Sequence, residues 1–175
     1  MSCKYCVDEF CVNDACPLCA DYCPVMDVLG VCKYEVIEPL NRFIEAQSRS
    51  YDQAINEIKA GHKETHWMWW IFPQYKGIGE SEVSKYYAIQ SREEAKAYWE
   101  HPILGVRLVE CMEALLELNT NDAVEVFGEL DAFKLKSCMT LFYFHGGQSL
   151  CCRVLDKFFP RELDYFTANR LLNGE

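Results

Sequence analysis

HWMWWIFPQYKGIG, His66 to Gly79, packs three tryptophans, a methionine, an isoleucine and a phenylalanine behind one histidine, then stops at Pro73 and loosens into glycine. As a strand it would aim Trp67, Trp69 and Ile71 to one side and His66, Met68, Trp70 and Phe72 to the other. As a helix, Trp67, Trp70 and Ile71 share one face, and His66, Trp69 and Trp70 share its neighbour. Both readings bury the segment on several sides, so it belongs at the centre of the fold. Thr65 can cap a short helix, and Phe72, before a proline, is pushed out of helical space. The prediction is a short helix ending at Phe72.

The flanking chain is periodic in the helical sense. Leu40, Phe43, Ile44 and Gln47 fall on one face, and Tyr51, Ala54, Ile55 and Ile58 continue at helical spacing to Gly61. Ser50 with Gln53 is a capping-box pattern that restarts this helix. Downstream, Glu80–Ile89, Arg92–Glu100 behind Ser91, Ile103–Leu118, Asp122–Phe127, Ala132–Phe144 capped by Asp131, Leu150–Phe159 capped by Ser149, and Leu163–Leu172 read as helices. No Asn-Gly hairpin or sustained alternation interrupts them. The fold class expected is all-α: a single multi-helix domain over residues 39–175, preceded by a small irregular cysteine-rich segment over 1–38.

Half of the 175 residues are hydrophobic and 14% are aromatic, enough for a real core. No apolar run approaches a membrane span, the longest being Trp67–Phe72, and the N-terminus lacks a signal-peptide layout. A soluble cytoplasmic protein is expected. The net charge of −10 opposes nonspecific binding to nucleic acid or anionic lipid, so any anion site must be a local cluster of cations.

Seven of the eleven cysteines lie in the first 32 residues. Each C-x2-C turn aims two thiolates at one point, so Cys3, Cys6, Cys16 and Cys19 form a tetrahedral zinc set, with Cys11, Cys23 and Cys32 as further donors. The short interval between the turns suits a compact knuckle. An iron–sulfur cluster is the alternative, because Cys16 to Pro24 copies the end of a ferredoxin run, although Asn13 stands where that run needs cysteine. Disulfides or redox-active thiols are a third reading. A four-thiolate site is closed, so its role is structural or for contact with a protein partner. Cys111, Cys138, Cys151 and Cys152 sit in helical patterns and read as packed thiols.

The approach to the tryptophan segment carries His62, Lys63 and His66, and its exit carries Gln74, Tyr75 and two glycines. Indoles beside a few polar groups and a glycine loop suit a planar or anionic small molecule. His66 can act as an acid or base near neutral pH, or serve as a satisfied core histidine.

The blocks Leu40–Gln47, Gly61–Lys63, HWMW, IFPQ, KGIGES, HPILGVRL and KLKSCMTLF, in that order from Leu40 to Phe159, resemble the family called domain of unknown function 1810. The resemblance implies an all-helical domain with no established activity, and it says nothing of the cysteine-rich head. It picks out Gln47, Lys63, His66, Gln74, His101, Arg107, Lys134, Ser137 and Thr140, which join Trp67 and Trp69 as candidate ligand contacts. Lys134, Ser137 and Thr140 fall on successive helical turns. Arg107 can clamp a phosphate or carboxylate.

Three functions follow. The first is a domain binding a small anionic or nucleotide-like ligand, with zinc at the N-terminus. The second is an enzyme acting on a nucleotide or N-glycosidic bond, with His66 or Asp131 as acid or base. The third is a scaffold without a ligand.

Overall fold

The computed structural model describes residues 6–7, 10–11, 37–160 and 162–173, with side chains from Pro39 onward. The chain divides into two units, Met1–Asn41 and Arg42–Glu175. In the first, β1 (Cys6–Val7) pairs antiparallel with β2 (Phe10–Cys11). The expected thiolate set, Cys3, Cys6, Cys16 and Cys19, has its side chains outside the described residues. The second unit is helical. Beyond its helices it has an isolated parallel bridge between Tyr75 and Ile89.

Helix α1 (Ile37–Ala60) is continuous through Ser50. Serine does not restart the helix because its hydroxyl donates to the Ala46 carbonyl one turn back, at 2.8 Å. Gly61, at φ +69°, ends it as expected. Helix α2 (Met68–Ile71) is a single turn with no side-chain cap. Thr65 does not cap it, since its hydroxyl donates instead to Glu57 at 2.7 Å. Phe72 leaves helical space before Pro73, as its position demands.

Helix α3 (Glu82–Tyr86) is shorter than its pattern suggested and is capped by Ser81. Ser91 caps α4 (Arg92–Glu100), accepting from the Glu94 amide at 3.1 Å. Helix α5 (Leu104–Glu117) opens on His101, whose Nδ1 accepts from the amides of Ile103 and Leu104 at 3.1 and 3.3 Å. Asp122 caps α6 (Ala123–Phe127).

Helix α7 (Glu129–Tyr143) starts before the cap expected at Asp131, which therefore lies inside its first turn. Helix α8 (Gln148–Phe158) follows Gly147 with no side-chain cap, so Ser149 is not its cap either. Asp164 caps α9 (Tyr165–Asn173), accepting from the Thr167 amide and hydroxyl at 2.9 and 2.5 Å.

Helix α7 packs against α4, α6, α8 and α9, and α5 packs against α4 and α8. Leu135, Cys138, Met139, Leu141 and Phe142 of α7 are fully buried, so this helix is the middle of the core. Two devices fix α5. A Cβ at Gly105 would lie 2.0 Å from the Trp99 carbonyl oxygen, so only glycine permits α4 and α5 to cross this closely. At its far end the Lys157 ammonium, from α8, donates to the carbonyls of Leu115, Leu116 and Leu118 at 3.0, 3.0 and 2.5 Å. The Leu115 carbonyl also accepts from the Leu118 amide at 3.3 Å, while a helix end leaves such carbonyls short of backbone partners, and a cation there complements the helix dipole.

Candidate functional site

The loop after α1 is held by one carboxylate. Glu57 accepts from the amides of Glu64 and Thr65 at 2.9 and 3.1 Å, from the Thr65 hydroxyl, and from the Trp67 indole N–H at 2.7 Å. Burial disfavours the charged form of Glu57, but these donors outweigh it and bring its pKa down to about 2. The loop is thereby fixed with Trp67 turned inward against Phe72 and Phe127. The Lys63 amide is tied to the Val126 carbonyl at 2.8 Å.

This places Lys63 against the first turn of α7. Asp131 bridges two ammoniums, Oδ2 to Lys63 and Oδ1 to Lys134, each at 2.6 Å. The three side chains are only 9%, 16% and 21% exposed for Lys63, Asp131 and Lys134. Burial works against the Asp131 carboxylate, yet the bonds from Lys134 and Lys63 hold its pKa below the usual aspartate range. Both ammoniums lie over indoles: Lys63 is 5.3 Å from the Trp67 ring centre and Lys134 is 4.0 Å from that of Trp69. Among the described residues no second carboxylate pairs with either lysine, so the triad keeps one formal positive charge in a chain of net −10.

Beyond Trp69 the chain forms a narrow cleft lined by Trp69, Gln74, Ile78, Gly79, Ser84 and Tyr87, with a volume of about 10 Å³, room for one water. Gly79 makes it possible, since a Cβ there would lie 2.5 Å from the Ser84 hydroxyl. Gln74 is 3% exposed, and its amide nitrogen donates to the Phe72 carbonyl at 3.0 Å. Its Oε1 has no hydrogen-bond partner among the described residues. Buried acceptors are rarely left so, which marks a place for a water or a ligand donor.

The sequence candidates thus divide. Lys63, Trp67, Trp69 and Lys134 come together around Asp131, and Gln74 joins them across Trp69. Gln47 and Arg107 form a different cluster. The Gln47 amide donates to the Trp70 carbonyl at 2.8 Å and to the Tyr98 hydroxyl at 2.9 Å. Arg107 lies 3.4 Å from Gln47 Oε1 and stacks 4.5 Å from the centre of the Tyr51 ring. Tyr98 also donates to the Trp70 carbonyl, at 3.2 Å, and the Trp70 indole N–H reaches Ser50 at 2.8 Å.

His101, two residues before the N-cap Ile103, accepts from the first amides of α5, and burial lowers its pKa. Thr140 donates to the Lys136 carbonyl and accepts from the Asp164 amide, anchoring α9, while Ser137 is buried inside α7. Lys134, Ser137 and Thr140 therefore do not converge. His66 is exposed and makes no hydrogen bond among the described residues. No sequence pattern singled out Glu57, because its partners lie in a loop that has no repeat.

Among the described residues no group of three His, Cys, Asp or Glu side chains is placed to hold a metal, and no helix is long and apolar enough to cross a membrane.

A helical domain with a shielded, cationic, indole-backed face is the class of protein this geometry defines. Residues 38–171 match the family described as "Protein of unknown function (DUF1810)", and the chain belongs to that family. The crystal structure of the conserved hypothetical protein Rv1873 from Mycobacterium tuberculosis superposes with a TM-score of 0.72 at 38% identity, covering 74% of this chain and 94% of that one. No curated protein matches the chain.

Proposed function

We propose that this domain binds a small planar anion of nucleotide type at the Lys63–Asp131–Lys134 face of Trp69. The observation that carries the reading is the surplus ammonium. Two lysines share one carboxylate, mostly shielded from water, where a bound anion meets less dielectric screening than on an open surface. Gln74 Oε1 offers an acceptor for an amino group of the ligand. The cleft itself admits only a water, so the ring of a ligand would rest at its mouth, against Trp69. Asp131 has both oxygens engaged by lysines, which suits positioning rather than proton transfer.

The test is calorimetric titration with adenosine monophosphate and, separately, inorganic phosphate. Lys134→Met keeps an apolar stem on Trp69 while cancelling the surplus charge. It should weaken nucleotide binding by about tenfold, the loss of one shielded charge contact. Unchanged affinity in that variant, or no nucleotide binding by the wild type, removes the proposal and leaves a scaffold. Conversion of the nucleotide to a product would favour the enzyme reading instead.

The same proposal gives the head a structural zinc, on the strength of its paired C-x2-C turns. Elemental analysis of the purified chain should find about one or two zinc ions per molecule. Iron with visible absorbance would point to a cluster, and no metal would leave disulfides or free thiols.

A further inference from the structure

A second cavity, of about 220 Å³, lies away from the lysine triad and is lined by Arg92, Phe144, His145, Leu171 and Leu172. Three elements build it. Arg92 opens α4, and Trp99, seven residues on, lies on the same face of that helix. The Trp99 indole rests against the turn after α7: a Cβ at Gly146 or Gly147 would come within 2.7 or 2.8 Å of its ring. These glycines let the turn lie flat along α4, which brings Phe144 and His145 beside Arg92. Leu171 and Leu172 of α9 complete the lining.

The chemistry of this lining is uneven. Arg92 makes no ion pair and no side-chain hydrogen bond among the described residues, whereas Arg170 nearby is stacked 4.5 Å from the centre of the Phe166 ring. His145 Nε2 is buried and has no hydrogen-bond partner among the described residues. Burial lowers the pKa of His145, Arg92 lowers it further, and Glu93 opposes them. The lining therefore combines one cation, unpaired among the described residues, with leucine and phenylalanine side chains. A cavity of about 150 Å³ lined by apolar side chains holds benzene, so this one has room for a ring and a carboxylate.

We propose that this groove binds a small monocarboxylate with an aromatic or short apolar body. The planar guanidinium of Arg92 takes both carboxylate oxygens, a match of geometry that a tetrahedral phosphate makes less well. Phe144, Leu171 and Leu172 cover the apolar part. This site is separate from the one proposed for the nucleotide-type anion.

Phenylacetate, its neutral isostere phenylacetamide, and inorganic phosphate are titrated into the labelled full chain and followed by amide chemical shifts. Phenylacetate should move the signals of Phe144, His145, Leu171 and Leu172, and phenylacetamide should bind about tenfold more weakly or not at all. Arg92→Gln, at an exposed position that leaves the core intact, should lose about tenfold in phenylacetate affinity, while Lys134→Met leaves it unchanged. The proposal is overturned if the amide binds as well as the acid, if Arg92→Gln binds as tightly as wild type, or if phosphate moves the same signals equally. Loss of phenylacetate binding in Lys134→Met would also overturn it, by assigning the ligand to the triad.

Discussion

Removing the Glu57 carboxylate separates a charged hub from a structural accident. Its pKa of about 2, against 4.5 for an unperturbed glutamate, corresponds by linkage to about 3 kcal/mol of stability at neutral pH. The group is partly exposed, and solvent screening reduces that to about 2 kcal/mol. The sign follows from a folded-state pKa below the unfolded one. The contribution is complete above about pH 5 and disappears as pH falls towards 2.

Two variants divide the effect. In Glu57→Gln the amide oxygen can still accept from Glu64, Thr65 and Trp67, so the loss is one of charge, about 1–2 kcal/mol. In Glu57→Ala the Trp67 N–H, on a side chain only 1% exposed, keeps no acceptor, and the cost rises to about 3–4 kcal/mol. Urea unfolding followed by circular dichroism at pH 7, 4 and 2.5 reads both. The wild type should lose its advantage over Glu57→Gln as the pH drops. A gap between them that stays constant from pH 7 to 2.5, or an alanine variant as stable as the glutamine one, would refute the reasoning.

Other outcomes follow from the packing. Lys157→Met leaves three carbonyls at the end of α5 without their ammonium and should cost about 2 kcal/mol in denaturant unfolding; a cost near zero would mean that water replaces it freely. Gly105→Ala should destabilise by more than about 3 kcal/mol, because the new methyl would meet a backbone oxygen at 2.0 Å that cannot rotate away. Gly128→Ala should cost only about 1 kcal/mol, since φ is +76° but open space surrounds the position. Thermal unfolding ranks the two glycine variants, and the reverse order would contradict the crossing described for α4 and α5.

The helical fold was legible because burial of an amphipathic face leaves a period in the chain. Ser91, Asp122 and Gly61 mark their helix ends as expected. Capping signals failed where a stronger partner existed: Thr65 was taken by Glu57, Ser50 bonded back along its own helix, and Asp131 was claimed by two lysines. The convergence of Lys63 with Lys134 across some seventy residues depends on where α7 meets the loop after α1, which no local pattern encodes. Gln47 and Arg107 have the same polar character as those lysines but are engaged with Trp70, Tyr98 and Tyr51 instead. Arg92 and His145 went unnoticed because their nearness follows from a tryptophan lying on two glycines.

The four residues of α2 are too few to hold a helical turn in water unaided. Its Trp70 carbonyl is occupied by side chains from α1 and α4, so the turn is lent its order by elements distant in the chain. Such a segment has no way to fray by itself. Deuterium uptake at Ile71 and Phe72, whose amides close that turn, should therefore track opening of the whole domain, making the indole wall one of its slowest-exchanging surfaces.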